Sequence, residues 1–363
     1  MFVSKLKVYN FRNLADQTVQ LGSGPVYISG LNGNGKTNLV EALYLLSGSR
    51  SFRTNSSSEL LKWGHKECSI FGEITTQLGT EEIGLIFTPG ERKALSNGNP
   101  LPSVTDLIGK LRVIAFSPAD LSLVKGSPSG RRKFLDRHMV DLNPSFIKVL
   151  MGYQRALASK SAVLKQPGCS YGLLQPWNEL LTKACGEIVY NRRKFLESLS
   201  DKAATFHKTY APMDGDLGIT LESDFFDGEK VLSEEEIFLK FDSAVQREIA
   251  MRSPVIGAQR DDVKVTLGGV DARAFASQGQ TRSIVLSMKL GVIEMVEAVT
   301  GESPVVLLDD VDSELDKARS DRLFSALLEK PKQIIVTGTE TPPPQFIHRP
   351  DICTLVVSQG VVS

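Results

Sequence analysis

Hydrophobic and polar positions change their spacing along the chain, and the first part has the spacing of strands. Residues 5–9 alternate between polar and apolar side chains, which is typical of a strand buried on one face. Residues 69–74 and 83–88 are further strand candidates, and the SNGNP sequence of 96–100 predicts a hairpin turn. The chain is therefore predicted to be β-rich up to about Phe116.

The middle of the chain has the spacing of helices. Apolar residues recur at helical intervals over 131–164 and 177–210, and a third helix is predicted over 233–251. Ser233 and Glu236 have the spacing of a capping box at the start of that helix. Heptads do not persist, so the pattern argues against a long coiled-coil arm.

After Pro254 the pattern returns to strands alternating with helices. Residues 263–267, 305–308 and 333–337 are strand candidates, and 305–308 is a continuous apolar run of the kind found in buried parallel strands. The predicted fold class is α/β, with a head formed by residues 1–117 and 255–363. A compact, mostly helical lobe, residues 118–254, is inserted into it.

Composition narrows the functional classes. Hydrophobic residues make up 41% of the chain and charged residues 23%, which is typical of a soluble globular protein. No apolar run is long enough to cross a bilayer and the N-terminus lacks a signal-peptide core, so a cytoplasmic protein without a membrane partner is expected. The 42 basic and 42 acidic residues cancel, so any DNA site must be a local basic patch.

The clearest chemical motif is a glycine-rich loop that fits G-x-x-x-x-G-K-[ST] at every fixed position. It lies between a short β-rich run, 26–29, and a helical run, 38–46. Backbone amides of such a loop surround phosphate oxygens, while Lys36 reaches the β- and γ-phosphates and the Thr37 hydroxyl ligates Mg²⁺. ATP and Mg²⁺ are therefore the predicted cofactors. The predicted nucleotide-binding residues of the loop are Gly30, Leu31, Asn32, Gly33, Asn34, Gly35, Lys36 and Thr37.

A second motif ends the apolar run 305–308 in two acids, which is a Walker B pattern. Asp309 is the predicted Mg²⁺ ligand opposite Thr37, and Asp310 is predicted to polarise and orient an attacking water. A strand ending in a solvated acidic turn would give the same sequence. The phosphate loop elsewhere in the chain favours the nucleotide interpretation.

Residues 276–280 resemble the L-S-G-G-Q signature of ATP-binding-cassette ATPases, with Gln278 where glycine is commoner. Ser277 and Gln280 are spaced to cap the following helix, whose N-terminus is an anion site. Residues 313–316 resemble the D-loop, so the motif order matches a cassette ATPase. Cassette ATPases often carry a histidine after the next strand, and here Thr337 and Thr339 are the candidates for its place.

Most of the chain lies between the phosphate loop and the acidic pair. Transporter ATPase subunits keep these motifs much closer, and chromosome-organising ATPases separate them by long coiled coils. The compact helical lobe fits neither class. A chromosome-organising head and, less favoured, a transporter subunit remain the alternative functions.

Longer segments resemble the RecF family, within the ABC/SMC-type ATPases. Residues 123–136 and 307–316 match that family's two signatures, and 10–14 matches its N-terminal strand and turn. Residues 257–262 resemble its G-P-H-R-D-D segment, although Ala258 and Gln259 replace the proline and histidine. Ala119 also stands where family members usually have an acidic residue, directly after Pro118. The resemblance implies an ABC-type P-loop ATPase head with a slow ATPase activity.

The resemblance also implies the partners. Family members bind double-stranded DNA in an ATP-dependent manner and act with RecO and RecR to load a recombinase at gaps. It implies a head-to-tail homodimer around two ATP molecules, in which Ser277 and Gln280 join Asp310 as catalytic residues by contacting the partner's γ-phosphate. Arg12 is expected either to approach the nucleotide or to be a surface arginine in a turn.

Two basic clusters of the inserted lobe are the candidates for the DNA surface, with gapped and junction DNA among the possible targets. Runs of charge are as often simply solvated faces, and consecutive residues of a helix cannot all face one duplex. If neither cluster binds DNA, Arg53, Lys62 and Lys66 of the head are the next candidates. The two clusters are Arg131, Arg132 and Lys133, and Arg192, Arg193 and Lys194.

Overall fold

A computed structural model describes residues 1–54, 56–228, 230–310, 317–330, 332–339, 342–347 and 349–363. The chain forms two compact units, the first from Met1–Asp120 and Val292–Ser363 and the second from Leu121–Gly291. The first boundary lies close to the predicted one. The second does not, since residues 255–291 belong with the second unit rather than with the head.

The strands are β1 (Phe2–Tyr9), β2 (Gln17–Gln20), β3 (Pro25–Ser29), β4 (Cys68–Thr76), β5 (Gly79–Thr88), β6 (Glu91–Ser96), β7 (Asn99–Pro100), β8 (Val113–Phe116), β9 (Leu217–Glu222), β10 (Phe226–Asp227), β11 (Lys230–Val231), β12 (Asp262–Leu267), β13 (Val270–Asp271), β14 (Val305–Leu308), β15 (Ile334–Gly338), β16 (Cys353–Ser358) and β17 (Val361–Val362). The helices are α1 (Lys36–Leu46), α2 (Ser122–Lys125), α3 (Pro128–Leu142), α4 (Phe146–Leu164), α5 (Tyr171–Tyr210), α6 (Glu234–Met251), α7 (Ala272–Phe275), α8 (Gln278–Thr300), α9 (Lys317–Leu328) and α10 (Pro344–Ile347).

Two six-stranded sheets build the first unit. One is antiparallel, in the order β2-β1-β4-β5-β6-β7, and its members include the strands predicted from residues 5–9, 69–74 and 83–88. The other has the order β17-β16-β3-β15-β14-β8, and its pairings from β16 to β8 are parallel. The predicted α/β class is confirmed.

The core of the first unit is shared by both sheets and by α1. The continuous apolar runs of β3 and β14 are buried, as expected for strands inside a parallel sheet. Helix α1 buries most of its side chains and begins directly after the glycine-rich loop, so burial of this helix fixes the position of the loop. Core members from these elements include Leu6, Val8, Val26, Ile28, Leu39, Leu43, Leu46, Ile70, Leu307 and Ile335.

The second unit is mostly helical. The predicted helix 131–164 is two helices, because Pro144 lies in the break between α3 and α4. Helix α5 is 40 residues long and starts before the predicted Trp177, continuing through Pro176. Ser233 and Glu236 form the predicted capping box of α6, with reciprocal hydrogen bonds of 2.7 and 3.3 Å.

A small sheet in the order β13-β12-β9 belongs to the same unit. Six residue pairs join β12 to β9 in antiparallel register, from Asp262 opposite Glu222 to Leu267 opposite Leu217. This pairing assigns the segment after Pro254 to the second unit. Among the described residues, no helix is both long and apolar enough to cross a membrane.

Candidate functional site

The site lies where neighbouring parallel strands end. In the order β3-β15-β14, the glycine-rich loop follows β3, Thr337 lies near the end of β15, and Asp309 follows β14. The carboxyl ends of parallel strands meet at one edge of a sheet, which is where ligands bind in open α/β folds. Three distant segments of sequence are thereby brought to one place.

The loop holds its lysine through backbone carbonyls. Lys36 Nζ donates to the carbonyl oxygens of Gly30, at 2.5 Å, and Leu31, at 3.3 Å, and the residue is only 7% exposed. Gly35 has a φ of 114° and a Cβ there would lie 2.8 Å from Leu14 Cδ2, so both conformation and space require glycine. The ammonium is therefore fixed beside the α1 N-terminus, where an anion is favoured.

Asp309 is the acceptor shared by two threonines. Its Oδ1 accepts from Thr37 Oγ1 and from Thr337 Oγ1, both at 3.0 Å. Asp309 is 5% exposed, and this burial raises the pKa of its carboxyl although both hydroxyl bonds act in the opposite direction. A carboxylate and a hydroxyl in contact are hard oxygen donors, which suits them to hold Mg²⁺.

Asp310 has a left-handed backbone, with a φ of 54°. Its amide N–H donates to Thr337 Oγ1 at 2.9 Å, so Thr337 contacts both acids. Of the two threonines considered for the place of the missing histidine, Thr337 is buried and lines the site cavity, whereas Thr339 is exposed. The structure therefore favours Thr337.

A cavity of about 730 Å³ opens beside these residues. It is large enough for a nucleotide, and both the loop and the second acid contribute to its wall. Its walls are formed by Arg12, Asn13, Asn32, Gly33, Gly35, Lys36, Thr37, Asn38, Arg53, Glu59, Leu61, Lys62, Trp63, Asp310 and Thr337.

Glu41 supports this cavity and was not anticipated from the sequence. Arg12 donates from Nε and Nη2 to its two carboxylate oxygens, both at 2.9 Å, and Ser51 Oγ donates to it at 2.5 Å. The Glu41 side chain is fully buried. An acid inside the apolar run 39–43 of a helix was the available signal, because a buried carboxylate needs a partner. Arg12 thus lies in the cavity wall, held by an ion pair.

The second unit holds the signature-like segment. Ser277 N–H donates to Gln280 Oε1 at 2.9 Å and Gln280 N–H donates to Ser277 Oγ at 3.2 Å, which is the predicted cap of α8. Ser277 is exposed. The D-loop-like residues 313–316 lie outside the described residues.

The members of the two basic clusters differ in how deeply their side chains are buried. Arg131 is 3% exposed and pairs bidentately with Asp262, at 2.6 and 2.8 Å, while Arg192 is 4% exposed and pairs with Asp136 and Asp261. Both arginines therefore brace the second unit instead of facing DNA, contrary to the prediction. Arg132, half-buried, donates to the backbone carbonyl of Asp261 at 2.6 Å.

The other members of the clusters reach the surface. Lys133 and Lys194 are exposed, and Lys194 Nζ lies 4.6 Å from the centre of the Tyr190 ring. Arg193 pairs with Glu197 at 2.7 Å. Of the six predicted DNA contacts, Lys133 and Lys194 are thus exposed, and Arg132 and Arg193 are partly exposed.

Comparison with known proteins agrees with this arrangement. The model of the RecF/RecN/SMC N terminal domain matches residues 2–347. The DNA replication and repair protein RecF of Halothermothrix orenii is 33% identical over 371 aligned positions, covering 100% of this chain and 99% of the relative. That of Myxococcus xanthus is 35% identical over 341 positions, covering 92% and 90%.

Solved structures give the same result. A structure of the recombination mediator protein RecF with ATP, in the RecFOR pathway, has a TM-score of 0.90 and 29% identity, covering 100% of this chain and 97% of that one. An Smc head bound to the C-winged helix domain of ScpA has a TM-score of 0.57 at 14% identity and shares the fold alone. The chain belongs to the RecF family of DNA replication and repair proteins.

Proposed function

We propose that this protein binds ATP and double-stranded DNA in recombinational repair and replication restart, and helps a recombinase load at gaps. The observation that carries the proposal is the contact of Thr37 with Asp309 at 3.0 Å, beside a loop that holds Lys36. A RecF solved with ATP supports the choice of nucleotide. The family match supports this function over a transporter subunit.

The chain's own residues suggest how a triphosphate is held. Lys36 exchanges its two carbonyl acceptors for phosphate oxygens, and the loop amides and the α1 N-terminus add further donors. Thr37 and Asp309 hold Mg²⁺, whose contribution when bound is to neutralise phosphate charge. Asp310, with Thr337 fixing its backbone, orients a water for slow hydrolysis.

ATP is proposed to join two copies of the chain. Ser277 is exposed at the N-terminus of α8, which suits it, with Gln280, to meet the triphosphate held by a partner copy. Control of the dimer by nucleotide requires that two copies bind each other more tightly in the ATP-bound state than in the state without ATP. Hydrolysis would then release the dimer. A chromosome-organising head would use the same chemistry with a long arm.

DNA binding is assigned to surface cations of the second unit, Lys133, Arg193 and Lys194. An ATP-bound dimer presents two copies of each cation, and binding through both copies raises the affinity for DNA. ATP can therefore control DNA binding although the nucleotide itself does not contact DNA. RecFOR, the pathway of the ATP-bound relative, supports RecR- and RecO-type mediators as partners. The proposed compartment is the cytoplasm.

Sedimentation velocity with and without ATP, Mg²⁺ and a labelled duplex tests these steps together. The expected result is a monomer without nucleotide, a dimer with ATP, and co-sedimentation of the duplex only when ATP is present. A gapped duplex in a parallel run measures any preference for gaps. A chain that remains monomeric at saturating ATP and binds duplex equally without nucleotide would contradict the proposal.

A further inference from the structure

Trp63 is nearly fully exposed although it lines the nucleotide cavity. Its side chain is 98% accessible, and it belongs to the same wall as Lys36 and Thr37. An indole is the largest aromatic group a protein can offer, and its exposed face favours a flat apolar partner. An exposed tryptophan in a concave site therefore points to a ligand.

The backbone around Trp63 is held in place. Arg12 N–H donates to the Leu60 carbonyl and Lys62 N–H donates to the Asn10 carbonyl, both at 2.8 Å, and a β-bridge joins Phe11 to Leu61. The segment before Trp63 is thus paired with residues 10–12. The backbone that leads to Trp63 is therefore anchored, which limits the backbone entropy lost when Trp63 binds a ligand.

Residues 10–14 connect this segment to the phosphate loop. Asn13 Nδ2 donates to the Gly33 carbonyl at 3.0 Å, and Asn13 Oδ1 accepts from Asn38 Nδ2 at 2.6 Å. Lys62 Nζ donates to the Leu14 carbonyl at 3.2 Å. Hydrogen bonds therefore connect the phosphate loop to the turn at Asn13, and connect residues 10–14 in turn to the segment that ends at Trp63.

A nucleoside triphosphate has its phosphates at one end and its base at the other. With its terminal phosphates at Lys36 and Thr37, the base must extend toward cavity residues outside the phosphate loop. There Trp63 offers an apolar face beside the half-buried Leu61. Every nucleobase has a π-face, so stacking on an indole needs no particular base edge.

We propose that Trp63 is the platform on which the base of the bound nucleoside triphosphate stacks. This inference rests on the proposed nucleotide site and adds the residue that recognises the base. Stacking supplies affinity for the base of ATP and GTP alike, whereas the phosphate loop binds the triphosphate.

Calorimetric titration of Trp63→Ala and Trp63→Phe with ATP, GTP and inorganic tripolyphosphate, all with Mg²⁺, tests the proposal. Trp63→Ala should weaken ATP and GTP about tenfold and leave tripolyphosphate unchanged, because stacking on an aromatic side chain is lost. Trp63→Phe should retain most of the affinity. Leu78→Ala is the matched control, since Leu78 is 100% exposed and is not one of the residues lining this cavity.

Fluorescence reports the contact directly. The chain has two tryptophans, so Trp177→Phe leaves Trp63 as the sole indole, and Trp177 lies half-buried in α5. ATP should quench the remaining emission, and tripolyphosphate should not. Quenching by both ligands would indicate a conformational change and contradict stacking.

Failure of the inference differs from failure of the nucleotide site. Unchanged ATP affinity in Trp63→Ala overturns the inference alone, as does an equal loss for ATP and tripolyphosphate. Unchanged ATP affinity with lost dimerisation would assign Trp63 to the contact between copies instead. A wild-type chain that binds neither ATP nor tripolyphosphate would remove the nucleotide site and the inference with it.

Discussion

Thr37 and Asp309 are joined by a hydrogen bond of 3.0 Å although 272 positions separate them in the sequence. The strand order explains the contact. Because β15 lies between β3 and β14, Thr337 at the end of the middle strand contacts Asp309 as well, at 3.0 Å. The two halves of the site are thus connected through a third strand.

Lys36→Ala should weaken ATP binding about 10- to 100-fold, because hydrogen bonds to charged groups contribute about 1.5–3 kcal/mol each. Titration calorimetry measures the effect, with Lys93→Ala as a control for loss of a lysine in the same unit, since Lys93 is exposed on β6. Wild-type affinity in Lys36→Ala would contradict the phosphate-loop assignment.

Asp310→Asn should bind ATP but hydrolyse it about 10²- to 10⁴-fold more slowly, the usual contribution of a positioned acid or base. Its amide still donates to Thr337, because the change leaves the backbone in place. Phosphate release and sedimentation together measure turnover and the lifetime of the ATP dimer. Normal turnover, or loss of the ATP dimer, would show that Asp309 and Asp310 do not divide their roles as proposed.

Ser277→Arg should bind ATP as a monomer, because a bulky cation replaces the small cap that would meet the partner's triphosphate. Loss of the hydroxyl acceptor also removes a cap contribution of about 0.5–2 kcal/mol, so circular dichroism should accompany ultracentrifugation. Ser243→Arg on the exposed face of α6 is the matched control. An ATP-dependent dimer of Ser277→Arg would remove this segment from the interface.

Lys133→Glu combined with Lys194→Glu should weaken duplex binding and reduce its salt slope by roughly one for each DNA phosphate that is no longer neutralised. Both ammonium groups are exposed, so folding and ATP binding should be unchanged. Lys93→Glu changes the net charge by as much as either single substitution, so it is the charge control for Lys133→Glu and Lys194→Glu measured separately. Equal affinity and an unchanged slope in the double variant would exclude these residues and favour the head candidate Lys66.

Arg192→Ala should destabilise the second unit by about 3–5 kcal/mol, because removing one partner leaves buried carboxylates uncompensated. Arg192 donates to Asp136 and Asp261, whose own pKa values are raised by burial even with the arginine present. Lys194→Ala, two positions along the same helix, is the matched control and should change stability by less than about 0.5 kcal/mol. Chemical denaturation followed by circular dichroism compares the two; equal stabilities would show that the buried pairing is energetically neutral.

The phosphate loop and the acidic pair were predictable because each motif consists of residues that are contiguous in the sequence. Strand, glycine turn and helix follow one another, and Asp309 directly follows an apolar run. The capping boxes of α6 and α8 were predictable for the same reason, since each needs only two residues three positions apart.

Features that depend on distant partners were not predictable. Arg131 and Arg192 looked like neighbours of exposed lysines, but their carboxylate partners Asp262 and Asp136 lie 131 and 56 positions away. The segment after Pro254 was assigned to the head because its pairing with β9 cannot be recognised from its own residues. An acid at position 41 within an apolar run predicts that Glu41 has a partner, but the sequence does not show that the partner is Arg12.

The neighbours of β3 have a consequence for biosynthesis. This central strand pairs with β15 and β16, and Asn34 in the adjoining loop donates to Val357, 323 positions later. At ribosomal rates of about 5–20 residues per second, the phosphate loop leaves the ribosome tens of seconds before the strands that flank it. A nascent chain interrupted in that interval has the complete ATP-binding motif but lacks both sheet neighbours of β3. The parallel sheet around the phosphate loop can therefore form only after residues 334–358 have been synthesised.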